Sequence, residues 1–162
     1  MDSALEGWSE FNVAIAGAGA ALAGLIIVAM SVNIREILKT STIPARAASA
    51  IGTLLLGVIA ACLALIPGQP LWALGTEVFV GTVIACGLQV NATRSILGED
   101  RHMGSPPLKI VVGSIPLVGF VVGSLMLISG LPGGYYAVAA GTLLAIISAV
   151  LLSWIALVEI LR

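Results

Sequence analysis

Glu77 is the residue whose type and place best suit chemistry, because it is the one ionisable side chain set well within an apolar stretch. If a helix enters a membrane at Leu71, Glu77 lies about 9 Å below the boundary at 1.5 Å per residue. A carboxylate at that depth costs about 2–3 kcal/mol unless it faces protein or water, or is protonated. Two interpretations follow: a proton- or cation-responsive group beside a narrow path, or a carboxyl that snorkels or bonds to a neighbouring helix.

Three further polar residues, Asn91, Asn33 and Gln89, extend this possible intramembrane site. Asn91 shares the helical face of Glu77, together with Gly81, Ile84 and Leu88. Asn33, Gln89 and Asn91, with Glu159, fall near the same ends of their apolar segments. An inner-side polar vestibule and ordinary helix ends bonded to water and headgroups both fit that placement.

The sequence offers no catalytic, cofactor or metal constellation. His102 is the sole histidine and lies in a polar connector, so no histidine pair can hold a metal. The two cysteines, Cys62 and Cys86, form no CxxC motif, and the spans derived below separate them by about 16 Å in depth, beyond the ~7 Å limit for a disulfide. We therefore expect a protein that is not an enzyme and that uses no cofactor.

Composition sets the fold class. The chain is 59% hydrophobic and 9% charged, whereas soluble domains have about 25% charged residues. A net charge of -1 argues against nucleic acid as a partner, because phosphate binding needs clustered basic residues. No linker or charge run divides the sequence, so residues 1–162 are expected to form a single transmembrane helical-bundle domain in the lipid bilayer.

Five segments reach the roughly 20 apolar residues needed to cross a bilayer. They are residues 11–34, 45–66, 71–92, 108–129 and 134–158, all approximate. The Pro67-Gly68-Gln69-Pro70 and Gly130-Leu131-Pro132-Gly133-Gly134 clusters separate the segments that no charge divides. Backbone groups in lipid must be satisfied within each segment, which predicts an all-α integral membrane bundle.

Basic residues orient this bundle. All seven lie in two connectors and at the last residue: Arg35, Lys39, Arg46, Arg94, Arg101, Lys109 and Arg162. The positive-inside rule places both connectors and the C-terminus in the cytoplasm, and hence the N-terminus outside. Trp8, Trp72, Tyr135 and Tyr136 then fall at the outer interface, where amphipathic rings prefer to lie.

Small residues recur at every fourth position in three of the spans. The stripes are Ala16, Ala20 and Gly24 in the first span, Gly119 and Gly123 in the fourth, and Gly141, Ala145 and Ala149 in the fifth. Such stripes let helix backbones approach closely, and they serve either packing within one bundle or a homo-oligomer interface. Because five helices with short loops cannot point every stripe inward, we expect self-association or a membrane-protein partner.

The stretch from Phe11 to Leu25, continued by Ser31-Val32-Asn33, resembles the opening helix of small uncharacterised bacterial membrane proteins, some of which are labelled modulators of the membrane protease FtsH. The Pro67–Pro70 turn and the Trp154 to Glu159 end share the resemblance more weakly. It implies a multi-pass protein of the bacterial inner membrane, and it brings no catalytic residues.

Two functions remain open. Abundant packing stripes and scarce chemical groups favour a non-enzymatic oligomeric membrane protein, an accessory or regulatory subunit acting through helix packing. The alternative is a small ion or proton channel or transporter that uses Glu77, with a small ion as its ligand.

Overall fold

The computed structural model describes residues 6–39, 42–98 and 106–160, and all regular secondary structure in these ranges is helical. A 3-10 turn (Glu6–Trp8) leads into α1 (Ser9–Val32), followed by α2 (Ile34–Ile37), α3 (Thr42–Ala64), α4 (Leu71–Leu97), α5 (Pro106–Ile128) and α6 (Gly134–Ile160). Five of them, α1, α3, α4, α5 and α6, are long and apolar enough to cross a membrane. The predicted all-α class with five candidate spans is confirmed.

Local chemistry explains most of the helix ends. Pro44 lies in the first turn of α3 and Pro106 begins α5, because an N-terminal turn does not need the missing proline N–H. Helix α4 continues to Leu97, past the predicted end of the third span near residue 92. Thr93, Arg94 and Ser95 are polar but are not helix breakers, so their polarity does not end the helix.

The turn between α5 and α6 is a tight Schellman motif. Gly130 has a φ of 78°, a left-handed conformation that favours glycine. The Leu131 N–H donates to the Met126 carbonyl at 2.9 Å, and the Gly130 N–H donates to the Leu127 carbonyl at 2.9 Å. Both bonds satisfy carbonyls that the end of α5 would otherwise leave open.

Four of the long helices form a closed ring. Each of α3, α4, α5 and α6 packs on the next, and α6 packs on α3. Helix α1 lies outside the ring, mainly against α3, with slight contact to α6. Helices α3 and α4 run antiparallel, because Gln89, late in α4, meets Ser49, early in α3. Helices α1 and α6 begin at the same end of the bundle, because Tyr135, at the start of α6, meets Asn12, at the start of α1.

The two ends of the bundle differ. At the Asn12 end, where α1, α4 and α6 begin, large side chains fill the core, among them Leu74, Leu127 and Tyr135. The Gln89 end, where α3 and α5 begin, contains a cavity. The hydrogen bonds that join the side chains of Ser49, Gln89 and Ser114 lie at this end.

Candidate functional site

Gln89 is the centre of a buried polar cluster within the ring. Its side chain is 7% exposed. The Ser49 hydroxyl donates to Gln89 Oε1 at 2.6 Å, and Gln89 Nε2 donates to the Ser114 hydroxyl at 3.2 Å and, more weakly, to the Ile110 carbonyl at 3.5 Å. One amide thus connects α3, α4 and α5, as a polar group in an apolar interior requires.

A cavity of about 440 Å³ adjoins this cluster. All four ring helices line it, and its volume lies within the roughly 300–1,000 Å³ typical of small-molecule sites. Most of its wall is aliphatic, including Ala92, Ile96 and Val112. Leu108, which is 63% exposed, also lines it, so the cavity reaches the surface of the bundle.

Two basic side chains line the same cavity. Arg46 lies near the start of α3 and Lys109 near the start of α5, and both are half-buried. Among the side chains that the structure describes, these two are the charged groups of the cavity wall. The site therefore combines an apolar wall, a neutral polar cluster and a cationic rim.

The hydroxyl groups of the cavity wall donate their hydrogens to other protein groups. Thr53 donates to the Ser49 carbonyl at 2.8 Å, and Ser148 donates to the Val112 carbonyl at 3.1 Å. Ser49 donates to Gln89, as described above. The deeper polar wall consequently presents few donors to a ligand.

Glu77 lies elsewhere, on the outside of the ring near the Asn12 end. Its side chain is exposed and accepts a hydrogen bond from Gln69 Nε2, in the turn before α4. Gly81, Ile84 and Leu88, which share its helical face, line with it a groove of about 210 Å³ between α3 and α4. The carboxylate is thus partnered by a neutral amide at the bundle surface.

The four predicted polar residues do not form one site. Asn33 follows α1, and its Nδ2 donates to the Ala29 carbonyl at 3.3 Å. Asn91 is exposed on α4, whereas Gln89 lines the cavity. Gln89 is separated from Glu77 by more than three helical turns of α4. The side chain of Glu159 and all of His102 lie outside the described residues.

A second polar contact, between Asn12 and Tyr135, lies at the opposite end and was not singled out from the sequence. The Tyr135 hydroxyl donates to Asn12 Oδ1 at 2.6 Å. The Trp8 ring packs edge-on against Tyr135 and Tyr136, with centroid distances of 5.1 and 4.7 Å. This aromatic cluster lies at the Asn12 end, and because Asn12 and Tyr135 are 123 positions apart, no local sequence signal predicts their contact.

The small-residue stripes have two different locations. Gly119, Gly123 and Gly141 lie where the α5 and α6 backbones touch, and Ala145 and Ala149 are buried. On α1, by contrast, Ala16 is half-buried, while Ala20 and Gly24 are exposed. Helix α1 packs through another face, formed by Asn12, Ile15, Gly19, Ala23 and Ile26.

No group of three His, Cys, Asp or Glu residues suited to a metal occurs within the described ranges. Cys62 and Cys86 are free thiols. Comparison of the chain with protein-family models, curated proteins and solved structures finds no match.

Proposed function

We propose that this protein is a non-enzymatic, self-associating component of the bacterial inner membrane, an accessory or regulatory subunit that acts through helix packing. The observation that carries the proposal is the outward face of α1. Ala20 and Gly24 lie there, and Gly17, Ala18 and Ala21 are exposed beside them. A span that met only lipid would have no need of so many small residues.

The space beyond this face supports a second helix as its partner. A Cβ added to Gly17 or Gly24 would meet no atom within 4 Å. In lipid, helices associate by van der Waals packing and by close backbone approach at small residues, because lipid tails are as apolar as leucine. A second copy of the chain, packed α1 against α1, would bury this surface with the self-complementarity that twofold interfaces need.

Charge and aromatic placement support one orientation of the assembly. Arg35 and Arg94 are exposed at the Gln89 end, and the Trp8 indole packs against the Tyr135 side chain at the Asn12 end. Under the positive-inside rule the Gln89 end faces the cytoplasm, and the N-terminus lies outside.

Substitution of Gly24 tests the proposal. In lipid nanodiscs or liposomes, Gly24→Leu should lower the crosslinked dimer fraction at least about fivefold, because the added side chain separates the two backbones. Gly87→Leu is the matched control, since Gly87 is exposed on α4 and an added Cβ there also meets no atom within 4 Å. Equal dimer fractions in Gly24→Leu and the unsubstituted protein would overturn the proposal.

The conducting alternative depends on Glu77. Because this carboxylate lies outside the ring, a path past it would run along the groove between α3 and α4 and would need a second chain as its opposite wall. Proton or cation flux in liposomes that disappears in Glu77→Gln and persists in Glu10→Gln would favour the channel over the accessory function. Protein without flux would exclude the channel.

A further inference from the structure

The groove between α3 and α4 combines apolar walls with a single carboxylate at one end. Its α3 wall consists of leucine, isoleucine, alanine and glycine, and its α4 wall runs from Glu77 to Leu88. Of the described residues that line it, Glu77 is the one polar side chain. A ligand that fits this groove should have a hydrocarbon part and a head that suits a carboxylate.

The length of the groove matches one leaflet of a bilayer. From Glu77 to Leu88 it extends about 16 Å along α4, at 1.5 Å per residue, which is about half of the ~30 Å hydrocarbon core. The groove is also open to lipid, because Leu55 and Ile84 on its two walls are 39% and 64% exposed. An acyl chain laid along it would make van der Waals contacts with both helices.

The hydrogen bond of Glu77 sets the level of the carboxylate. Its donor, Gln69 Nε2, belongs to the turn between α3 and α4, outside both helices. The bond therefore holds the carboxylate towards the turn, where lipid head groups lie. A carboxylate has about four acceptor sites, so Glu77 can accept further hydrogen bonds beside that of Gln69.

The charges around Glu77 favour a cationic head. Among the described residues, every lysine and arginine belongs to the segments at the opposite, Gln89 end. A carboxylate at the membrane boundary gains from an opposite charge, and a primary ammonium supplies that charge together with three N–H donors. An anionic head would be repelled.

We propose that this groove binds a phospholipid of the surrounding bilayer whose head group ends in a primary ammonium, as ethanolamine does. The ammonium donates hydrogen bonds to the Glu77 carboxylate, and one acyl chain lies between α3 and α4 down to the level of Leu88. Helix α1 does not line the groove. The site thus gives the protein a lipid ligand that the proposed helix-packing function does not include.

Native mass spectrometry of the full-length protein, titrated with dioleoyl lipids in detergent micelles, tests this inference. Phosphatidylethanolamine should bind at least about tenfold more tightly than phosphatidylcholine, whose ammonium has the charge but no N–H donor. Phosphatidylglycerol, which is anionic, should bind no better than phosphatidylcholine. Equal affinities for the ethanolamine and choline lipids would overturn the proposal. Free ethanolamine should not bind measurably, and free ethanolamine that binds as tightly as the lipid would also overturn it.

A charge variant locates the head. Glu77→Gln should remove the preference for phosphatidylethanolamine over phosphatidylcholine, because the amide keeps the size of the side chain and loses its charge. Glu10→Gln should retain the preference, since Glu10 is exposed at the same end but does not line the groove. A preference that persists in Glu77→Gln would overturn the proposal. Loss of the preference in both variants would indicate general surface charge and would contradict a site at Glu77.

A bulky side chain in the groove locates the acyl chain. Ile84→Trp should weaken phosphatidylethanolamine binding at least about tenfold, and Val83→Trp should preserve it, because Ile84 lines the groove and Val83 is exposed on the same helix outside it. Leu55→Trp obstructs the groove from α3 and replaces Ile84→Trp if that variant fails to fold. Full binding by a folded, obstructed variant would overturn the proposal. Gly24→Leu should bind the lipid normally, so failure of the self-association proposal and failure of this one are distinguishable.

Discussion

The hydroxyl of Tyr135 donates a 2.6 Å hydrogen bond to Asn12 Oδ1, and the two side chains are 2% and 0% exposed. This contact ties the start of α6 to the start of α1, although α1 packs chiefly on α3. Within the described residues, Asn12 Nδ2 has no hydrogen-bond partner. The bond with Tyr135 is thus the specific polar contact that holds the buried amide.

Removing the Tyr135 hydroxyl should destabilise the bundle. Tyr135→Phe leaves Asn12 Oδ1 buried without its donor, which costs about 1–3 kcal/mol. The free energy of unfolding in mixed micelles measures the effect. Tyr136→Phe is the control, because Tyr136 is 68% exposed and should change stability little. If both variants lose the same free energy of unfolding, the buried hydroxyl of Tyr135 contributes no more to stability than the exposed hydroxyl of Tyr136.

The Gln89 cluster predicts an energetic coupling between helices. Gln89→Leu and Ser49→Ala should each destabilise the protein, and the double variant should lose less than the two single losses together. The expected coupling is about 0.6–1.7 kcal/mol, the range between the average and the largest value for hydrogen bonds between membrane helices. Gln89→Leu with Ser95→Ala is the comparison pair, since Ser95 bonds within α4. For that pair, the stability loss of the double variant should equal the sum of the two single losses.

Because the backbones of α5 and α6 are in contact, we expect that adding a single methyl group between them lowers the stability of the protein. A Cβ on Gly119 would lie 2.8 Å from the Gly141 Cα and 2.9 Å from the Ala137 carbonyl oxygen. Gly119→Ala should therefore cost about 1–3 kcal/mol, as overpacking does, because both obstacles are backbone atoms. Gly87→Ala meets no atom within 4 Å and should not lower the thermal unfolding temperature. A loss confined to Gly87→Ala would contradict the packing described here.

Single cysteines test the proposed orientation. In a background lacking Cys62 and Cys86, Gln69→Cys lies in the turn at the Asn12 end and Gly98→Cys at the Gln89 end. A maleimide that cannot cross the membrane should label Gln69→Cys on intact cells and label Gly98→Cys after permeabilisation. The reverse labelling pattern would show that the Gln89 end faces outside and would contradict the proposed orientation.

The number of candidate spans and most of their bounds were predictable because span length and proline and glycine turns are local properties. The faces that pack were less predictable. These spans are apolar on every face, so the periodicity of their hydrophobic residues does not distinguish the faces that pack in the core from those that meet lipid. The α1 stripe illustrates this: Ala20 and Gly24 are as small as Gly19 and Ala23, yet the latter pair is buried.

Gln89 shows the same limit at the candidate site. Its place in an apolar helix marked it as unusual, but its partners Ser49 and Ser114 are 40 and 25 positions away. Which serine faces which amide depends on helix rotation, and sequence spacing does not fix rotation between helices. The cavity beside them arises from the packing of four helices together and has no sequence signature.

The Schellman turn and the glycine contacts together make α5 and α6 a pair that can assemble early. Their contacts join segments close in sequence, so the entropy lost in closing the loop between them is small. The ring can then be completed when this hairpin docks as one piece against α3 and α4. On that route the cavity comes into existence at the final docking step, when the wall from α5 and α6 meets the wall from α3 and α4.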